Sequence, residues 1–158
     1  MNAMASLKST VSFQEENLST VLWANHLLNS GEVTSDESDK WALYKHANKL
    51  EKLASAAQVE PFSSLLDHTD LQFNMGDDEL PAGMESTNEL MARDGVWKSA
   101  KDALAILNGL LAVITAEKPR FGIMKNDYDT VVGELSESIE YAKKVSELGA
   151  KFNFSVVM

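Results

Sequence analysis

The chain contains no cysteine. That absence excludes a disulfide scaffold, a thiolate-ligated zinc or iron–sulfur site and a thiol nucleophile, and it fits a reducing compartment. Long apolar runs are also missing. The longest apolar-rich stretch, Ala103 to Ala116, is interrupted by Asn108 and falls short of the roughly 20 residues that a membrane-spanning helix needs. The opening Met1-Asn2-Ala3-Met4 lacks the basic start and apolar run of a secretory leader. Met1 to Ala3 (residues 1–3) read instead as a cloning remnant ahead of a natural start at Met4. The expected location is cytoplasmic.

Positive charge is scarce. Fourteen Lys and Arg face 24 Asp and Glu, giving a net charge of −10. A nucleic-acid binder must neutralise phosphates with cationic side chains, and an anionic membrane surface makes the same demand, so neither is expected as a partner. The deficit is concentrated in one third of the chain. Residues 60–94 hold nine acids (Glu60, Asp67, Asp70, Asp77, Asp78, Glu79, Glu85, Glu89 and Asp94) against Arg93 alone, and they carry −8 of the −10.

Catalytic signatures are equally sparse. Ser63-Ser64 and Thr115 lack a G-x-S-x-G context, and neither main type of glycine-rich phosphate loop is present. His26 and His46 have no histidine three or four residues away to form a metal pair. His26 reads as packed or helix-terminal, and His46 as lying on a solvated face. Asp67-His68-Thr69-Asp70 sets an imidazole among carboxylates, which tunes a general base or shares a divalent ion where the side chains converge. The blander reading is a helix end followed by a turn. Asp77-Asp78-Glu79 are consecutive and follow Gly76, whereas a calcium loop needs alternating ligands and a distant Glu. No catalytic residue, metal or cofactor is predicted.

A chain of 158 residues suits one domain, 1–158, and its hydrophobic and charged fractions of 44% and 24% are those of a globular protein rather than a disordered one. Ser12 with Glu15 has capping-box spacing, and Leu18, Val21, Leu22, Ala24 and Leu28 then suggest a first helix ended by Asn29-Ser30-Gly31. The preceding Leu7 to Phe13 is open to a short strand. Leu43, Ala47, Leu50, Ala54 and Ala57 step by four and three, a second helical face, with Trp41 and Tyr44 widening it. Trp23 and Trp41 are read as core. Pro61 can open a short helix through Leu66. Residues 67–83 lose periodicity and read as an acidic loop, with Leu71-Gln72-Phe73 as a brief strand at most. Residues 84–93 resume as a short helix. Ser99 caps a long helix through Leu104, Leu107, Leu111 and Ile114, which ends at Lys118-Pro119, and a last helix runs from about Asp127 to Leu148. Phe152, Phe154 and Val156 alternate with polar residues as a half-buried strand. The fold class expected is mainly α, marginally α+β: three to four long helices, a short C-terminal strand and room for a small two-stranded sheet.

Leu43-Tyr44-Lys45-His46-Ala47-Asn48-Lys49-Leu50 closing in Val59-Glu60-Pro61-Phe62 resembles a family of uncharacterised small acidic bacterial helical proteins. So does the later arrangement of Trp97 before a capped helix, Lys118-Pro119-Arg120-Phe121, and a long helix ending in Gly149-Ala150-Lys151-Phe152. The resemblance spans about two thirds of the chain. That family has no assigned activity, so it implies no functional residue. Small acidic proteins of this kind are also loosely similar to immunity proteins that neutralise bacterial toxins.

The function expected is a protein-interaction module, of the immunity or inhibitor kind, for a basic protein partner. A concentrated negative surface steers such a partner. Its contact residues would be Asp67, Asp70, Asp77, Asp78, Glu79 and Trp97. The alternative is a small-ligand or metal-dependent enzyme using Asp67, His68 and Asp70.

Overall fold

The structure, a computed structural model, describes residues 19–158. The remnant at residues 1–3, the Ser12–Glu15 capping box and the strand considered at Leu7 to Phe13 lie outside the described residues.

The chain enters as strand β1 (Val21–Leu27), turns at Leu28–Glu32 and returns as β2 (Val33–Asp36). Helices α1 (Trp41–Lys45) and α2 (Ala47–Ala56) follow, broken only at His46. A 3-10 turn over Phe62–Leu65 after Pro61 leads into the two-residue strand β3 (Leu66–Asp67). Helices α3 (Thr69–Met75) and α4 (Thr87–Asp94) come next, then the two-residue strand β4 (Lys98–Ser99). The long helices α5 (Ala100–Glu117) and α6 (Tyr128–Ser146) precede the last strand, β5 (Lys151–Val157).

This is an α+β fold, not the mainly α one expected, because the described residues contain a five-stranded sheet. β1 pairs antiparallel with β2 on one side and with β5 on the other, in the register Trp23↔Ser155 and Asn25↔Asn153. The remaining edge of β5 takes β3 in parallel and β4 antiparallel. The largest correction falls on β1, which was expected to be helical. The spacing of Val21, Leu22, Ala24 and Leu28 fits a helix by coincidence, while Leu22, Ala24 and His26 alternate onto one buried face. Asn25 is buried on the opposite face, so the polar–apolar alternation that betrays a half-solvated strand is absent. Asn29-Ser30-Gly31 therefore turns a hairpin rather than ending a helix.

β5 is central as well. Phe152, Phe154 and Val156 enter the main core, and Asn153 and Ser155 are also buried, so the strand is covered on both faces rather than half-exposed. Leu71-Gln72-Phe73 lies within α3, with Leu71 turned inward, and is not a strand.

α1, α5 and α6 pack on the sheet face that carries Leu22, Ala24, Phe152 and Phe154, and α2 packs on α5 and on the 3-10 turn. Their buried Leu43, Leu50, Leu107, Ile114, Leu135 and Ile139 form the core with it. α5 starts as its sequence requires, with the Ser99 hydroxyl accepting from the Asp102 N–H at 3.0 Å. The shorter α3 and α4 cover the other face. There a polar ladder crosses three strands: Ser35 Oγ donates to Asn25 Oδ1 at 2.6 Å, and Asn25 Nδ2 donates to Asn153 Oδ1 and Ser155 Oγ at 2.8 Å. Asn153 Nδ2 continues the ladder to the Val96 carbonyl at 2.8 Å. Each buried amide thus finds partners, which is what makes a polar row tolerable between sheet and helices.

Candidate functional site

The residues singled out by sequence divide sharply. Asp67 is only 2% exposed and points into the fold. Its carboxylate accepts from the Thr69 N–H at 3.0 Å, the Thr69 hydroxyl at 3.0 Å and the Val96 N–H at 2.8 Å. Gly95 makes this possible, because a Cβ there would stand 2.8 Å from Asp67 Oδ1. Asp70 accepts from the Thr87 hydroxyl at 2.5 Å, Asn74 Nδ2 at 3.0 Å and the Met158 N–H at 2.8 Å. Trp97 donates its indole N–H to the Met91 carbonyl at 2.9 Å, closing the C-terminal end of α4. Asp77, Asp78 and Glu79 are exposed in the connection between α3 and α4.

The acidic stretch over residues 60–94 is accordingly not one free surface. Glu60 is paired with Lys98, Asp94 with Arg93 at 2.8 Å, and Glu89 completes the capping box of α4 with Ser86. Asp67, His68 and Asp70 are not gathered around one point either. Among the described residues, no three His, Asp or Glu side chains stand where they would hold a metal ion together.

A second acidic surface is built from segments about a hundred residues apart. β2 ends in Asp36, and the turn Glu37-Ser38-Asp39 leads to Lys40, the residue before α1. Lys40 is fully buried, and its ammonium donates to Asp36 Oδ2 at 3.0 Å, the Ser38 carbonyl at 3.2 Å and the Ser38 hydroxyl at 2.5 Å. The Asp36 carboxylate accepts in addition from the Ser38 N–H at 3.1 Å. Asp39 accepts from the Leu22 N–H at 3.0 Å, which ties the turn to β1. The acidic turn is therefore held in one conformation from below. Against it, α6 presents Glu137 and Glu140, and together with Asp36, Ser38, Ser136, Tyr141 and Lys144 they line a shallow groove of about 590 Å³. Glu137 stands 3.7 Å from the Lys40 ammonium. The ring of Tyr141 stacks on His26 at 3.7 Å, fixing the wall of the groove to β1.

Electrostatics follow from this packing. Burial works against the Asp36 carboxylate, but the Ser38 N–H, the Lys40 ammonium and the Ser38 hydroxyl together hold its pKa below the ordinary value. Glu134, one turn before Ser138 on α6, behaves oppositely. It is 7% exposed and accepts from the Ala42 and Leu43 N–H groups at 3.0 and 3.1 Å. Burial raises its pKa to about 7, with the Asp39 charge adding to the rise, while the two N–H groups and Lys40 oppose it. Burial also lowers the pKa of His26, against the pull of its contact with the Tyr141 carbonyl, and Lys144 lowers it further.

Comparison with protein-family models, with curated proteins and with solved structures gives no match. The chemistry available therefore rests on the groove itself. Three carboxylates, a phenol and two hydroxyls around the groove accept hydrogen bonds from ammonium and guanidinium groups, as Glu140 does from Lys143 at 3.3 Å, and Lys144 lines the same groove. None of these residues is among those singled out from the sequence. One signal was visible: Glu134, Glu137 and Glu140 recur every third residue and so share one side of a helix.

His46 also differs from its expected solvated face. Its Nε2 lies 2.8 Å from Asp127 Oδ2, and its side chain is 10% exposed. Lys45 reaches the same oxygen at 3.1 Å. The His46 contact, then Lys45, hold the Asp127 carboxyl below its ordinary pKa despite burial. Trp41 is 42% exposed rather than core. Trp23 lies partly buried beside Met91 and Ser155 under α4.

Proposed function

We propose that this protein is an interaction module that binds a basic protein partner, in the manner of an immunity or inhibitor protein, through the groove between the β2–α1 turn and α6. The observation that carries the reading is the convergence of Asp36, Glu137 and Glu140 on one groove above the buried Lys40. Asp36 is held in place by Lys40 and Ser38 and so loses little entropy on binding, and the three carboxylates are complementary to Lys and Arg side chains, which steers encounter. The exposed Asp77, Asp78 and Glu79 supply a second negative field that speeds approach without forming a wall.

An arginine-rich peptide tests this reading by calorimetry at low ionic strength. Glu137→Lys with Glu140→Lys should weaken binding roughly tenfold or more, whereas Asp77→Lys with Asp78→Lys should change it by about threefold or less. The reverse order of effects would move the contact surface to the α3–α4 connection and defeat the assignment.

A further inference from the structure

The end of the molecule where α6 begins carries the opposite character. Between Glu117 and Asp127 the chain reads Lys118-Pro119-Arg120-Phe121-Gly122-Ile123-Met124-Lys125-Asn126, with three cations and no acid. Ile123 and Met124 are 92% and 95% exposed, more than any other large apolar side chain among the described residues.

This loop is braced rather than loose. Phe121 is fully buried, its N–H donates to Asn126 Oδ1 at 2.8 Å, and its carbonyl accepts from the Asp127 N–H at 2.7 Å. Arg120 clamps the turn by donating to the Gly122 and Ile123 carbonyls at 2.7 and 2.9 Å. Gly122 has φ +108°, and a Cβ there would run into the Lys125 carbonyl, so the sharp turn requires glycine. Two aliphatic side chains are thus held outward on a fixed, protruding tip.

The surroundings are cationic. The Lys49 ammonium lies over the Phe121 ring at 5.6 Å, and His46 meets the ring edge at 5.3 Å. Lys45, Lys49 and Lys52 line a neighbouring groove along α1 and α2. The exposed Trp41 lies beneath the Lys45 ammonium, 5.8 Å from its ring centre. The buried acid of the region, Asp127, is already paired with Lys45, with His46 Nε2 within hydrogen-bond distance of the same oxygen. The exposed acids flanking the loop are Glu117 and Asp129.

We infer that this end of the molecule docks on the surface of a bilayer containing anionic phospholipid, with Ile123 and Met124 entering the interfacial layer and Lys49, Lys52 and Lys125 facing the headgroups. An apolar tip with a basic collar and a nearby tryptophan is the composition that suits such an interface. A protruding tip fits a deformable lipid layer better than a flat protein surface. The total charge of −10 points the other way, but fields in solution decay over about 8 Å at physiological ionic strength. The groove's acids on α6, Glu137 and Glu140, lie ten and thirteen residues beyond Asp127, about 15 and 20 Å along the helix axis. Peripheral docking of this kind requires no membrane-crossing helix, and none is found among the described residues.

Co-sedimentation of the full chain with vesicles tests the proposal. At physiological ionic strength the protein should pellet with phosphatidylcholine vesicles containing phosphatidylglycerol and stay soluble with phosphatidylcholine alone. Ile123→Asp with Met124→Asp should lower the partition roughly tenfold or more. Lys49→Gln with Lys125→Gln should do the same, with the circular dichroism spectrum and Tm unchanged for both pairs. Failure to pellet with the anionic vesicles, equal binding to neutral ones, or undiminished binding of the Ile123/Met124 variant would overturn it. Binding to poly-glutamate but not to vesicles would also overturn it and assign the surface to an acidic protein.

Discussion

Glu134 shows how much a single carboxyl contributes to the behaviour of this protein. Its pKa, raised to about 7, lies above that of the same group in the unfolded chain, near 4.5. The folded state therefore holds a proton that the unfolded state releases first. Stability from this group is full below about pH 4.5, falls as pH rises toward 7, and levels off above. Ionising it in place costs about 3 kcal/mol, an order-of-magnitude figure for a shift of this size. Asp36 and Asp127, held below their ordinary values, act with the opposite sign, and their contribution is lost only in the acid range. Glu134→Gln keeps an acceptor for the Ala42 and Leu43 N–H groups but cannot ionise. Thermal melts should show the wild type losing several degrees more than Glu134→Gln between pH 5 and pH 8. Parallel melting curves would mean that Glu134 titrates normally.

At the level of elements, Asp67 joins β3 to the turn after α4, because it accepts from Thr69 on α3 and from Val96 ahead of β4. Asp67→Ala leaves three donors without their partner and should lower the stability by about 2–4 kcal/mol in denaturant titrations. Removing Asp77, Asp78 and Glu79 together should change it by less than about 1 kcal/mol, since they are exposed. A loss at Asp67 no larger than at the loop would contradict its buried placement. Which elements were legible from sequence follows from the same contrast. α2, α5 and α6 carry apolar stripes or end-caps within a few residues of one another, as in Ser99 with Asp102 or Leu50 with Ala54. β1 depends on a partner more than a hundred residues away, Trp23 opposite Ser155, and no local pattern encodes that pairing. β3 and β4, two residues each, are too short for any period to register. The buried role of Asp67 was hidden for the same reason, since its partner Val96 is 29 residues on.

On the scale of the whole molecule, the net charge of −10 conceals a separation. The acids that looked concentrated at 60–94 are partly consumed in caps, ion pairs and the Asp67 contacts, while a smaller set, Asp36, Glu137 and Glu140, shapes the groove. Cations gather at the other end of α6, around Lys45, Lys49, Lys52 and Lys125. Charge density along the chain could not show this, because folding brings residues 36–39 beside 134–140 and sets residues 45–52 near 118–127. The account as a whole rests on the acidic groove being the surface that receives a basic partner. Amide chemical-shift mapping during titration with an arginine-rich peptide measures that directly. The predicted result is a continuous set of shifted amides over Asp36–Asp39 and Ser136–Lys144, saturating together. Shifts confined to Asp77–Glu79, or spread evenly over every exposed carboxylate, would contradict it.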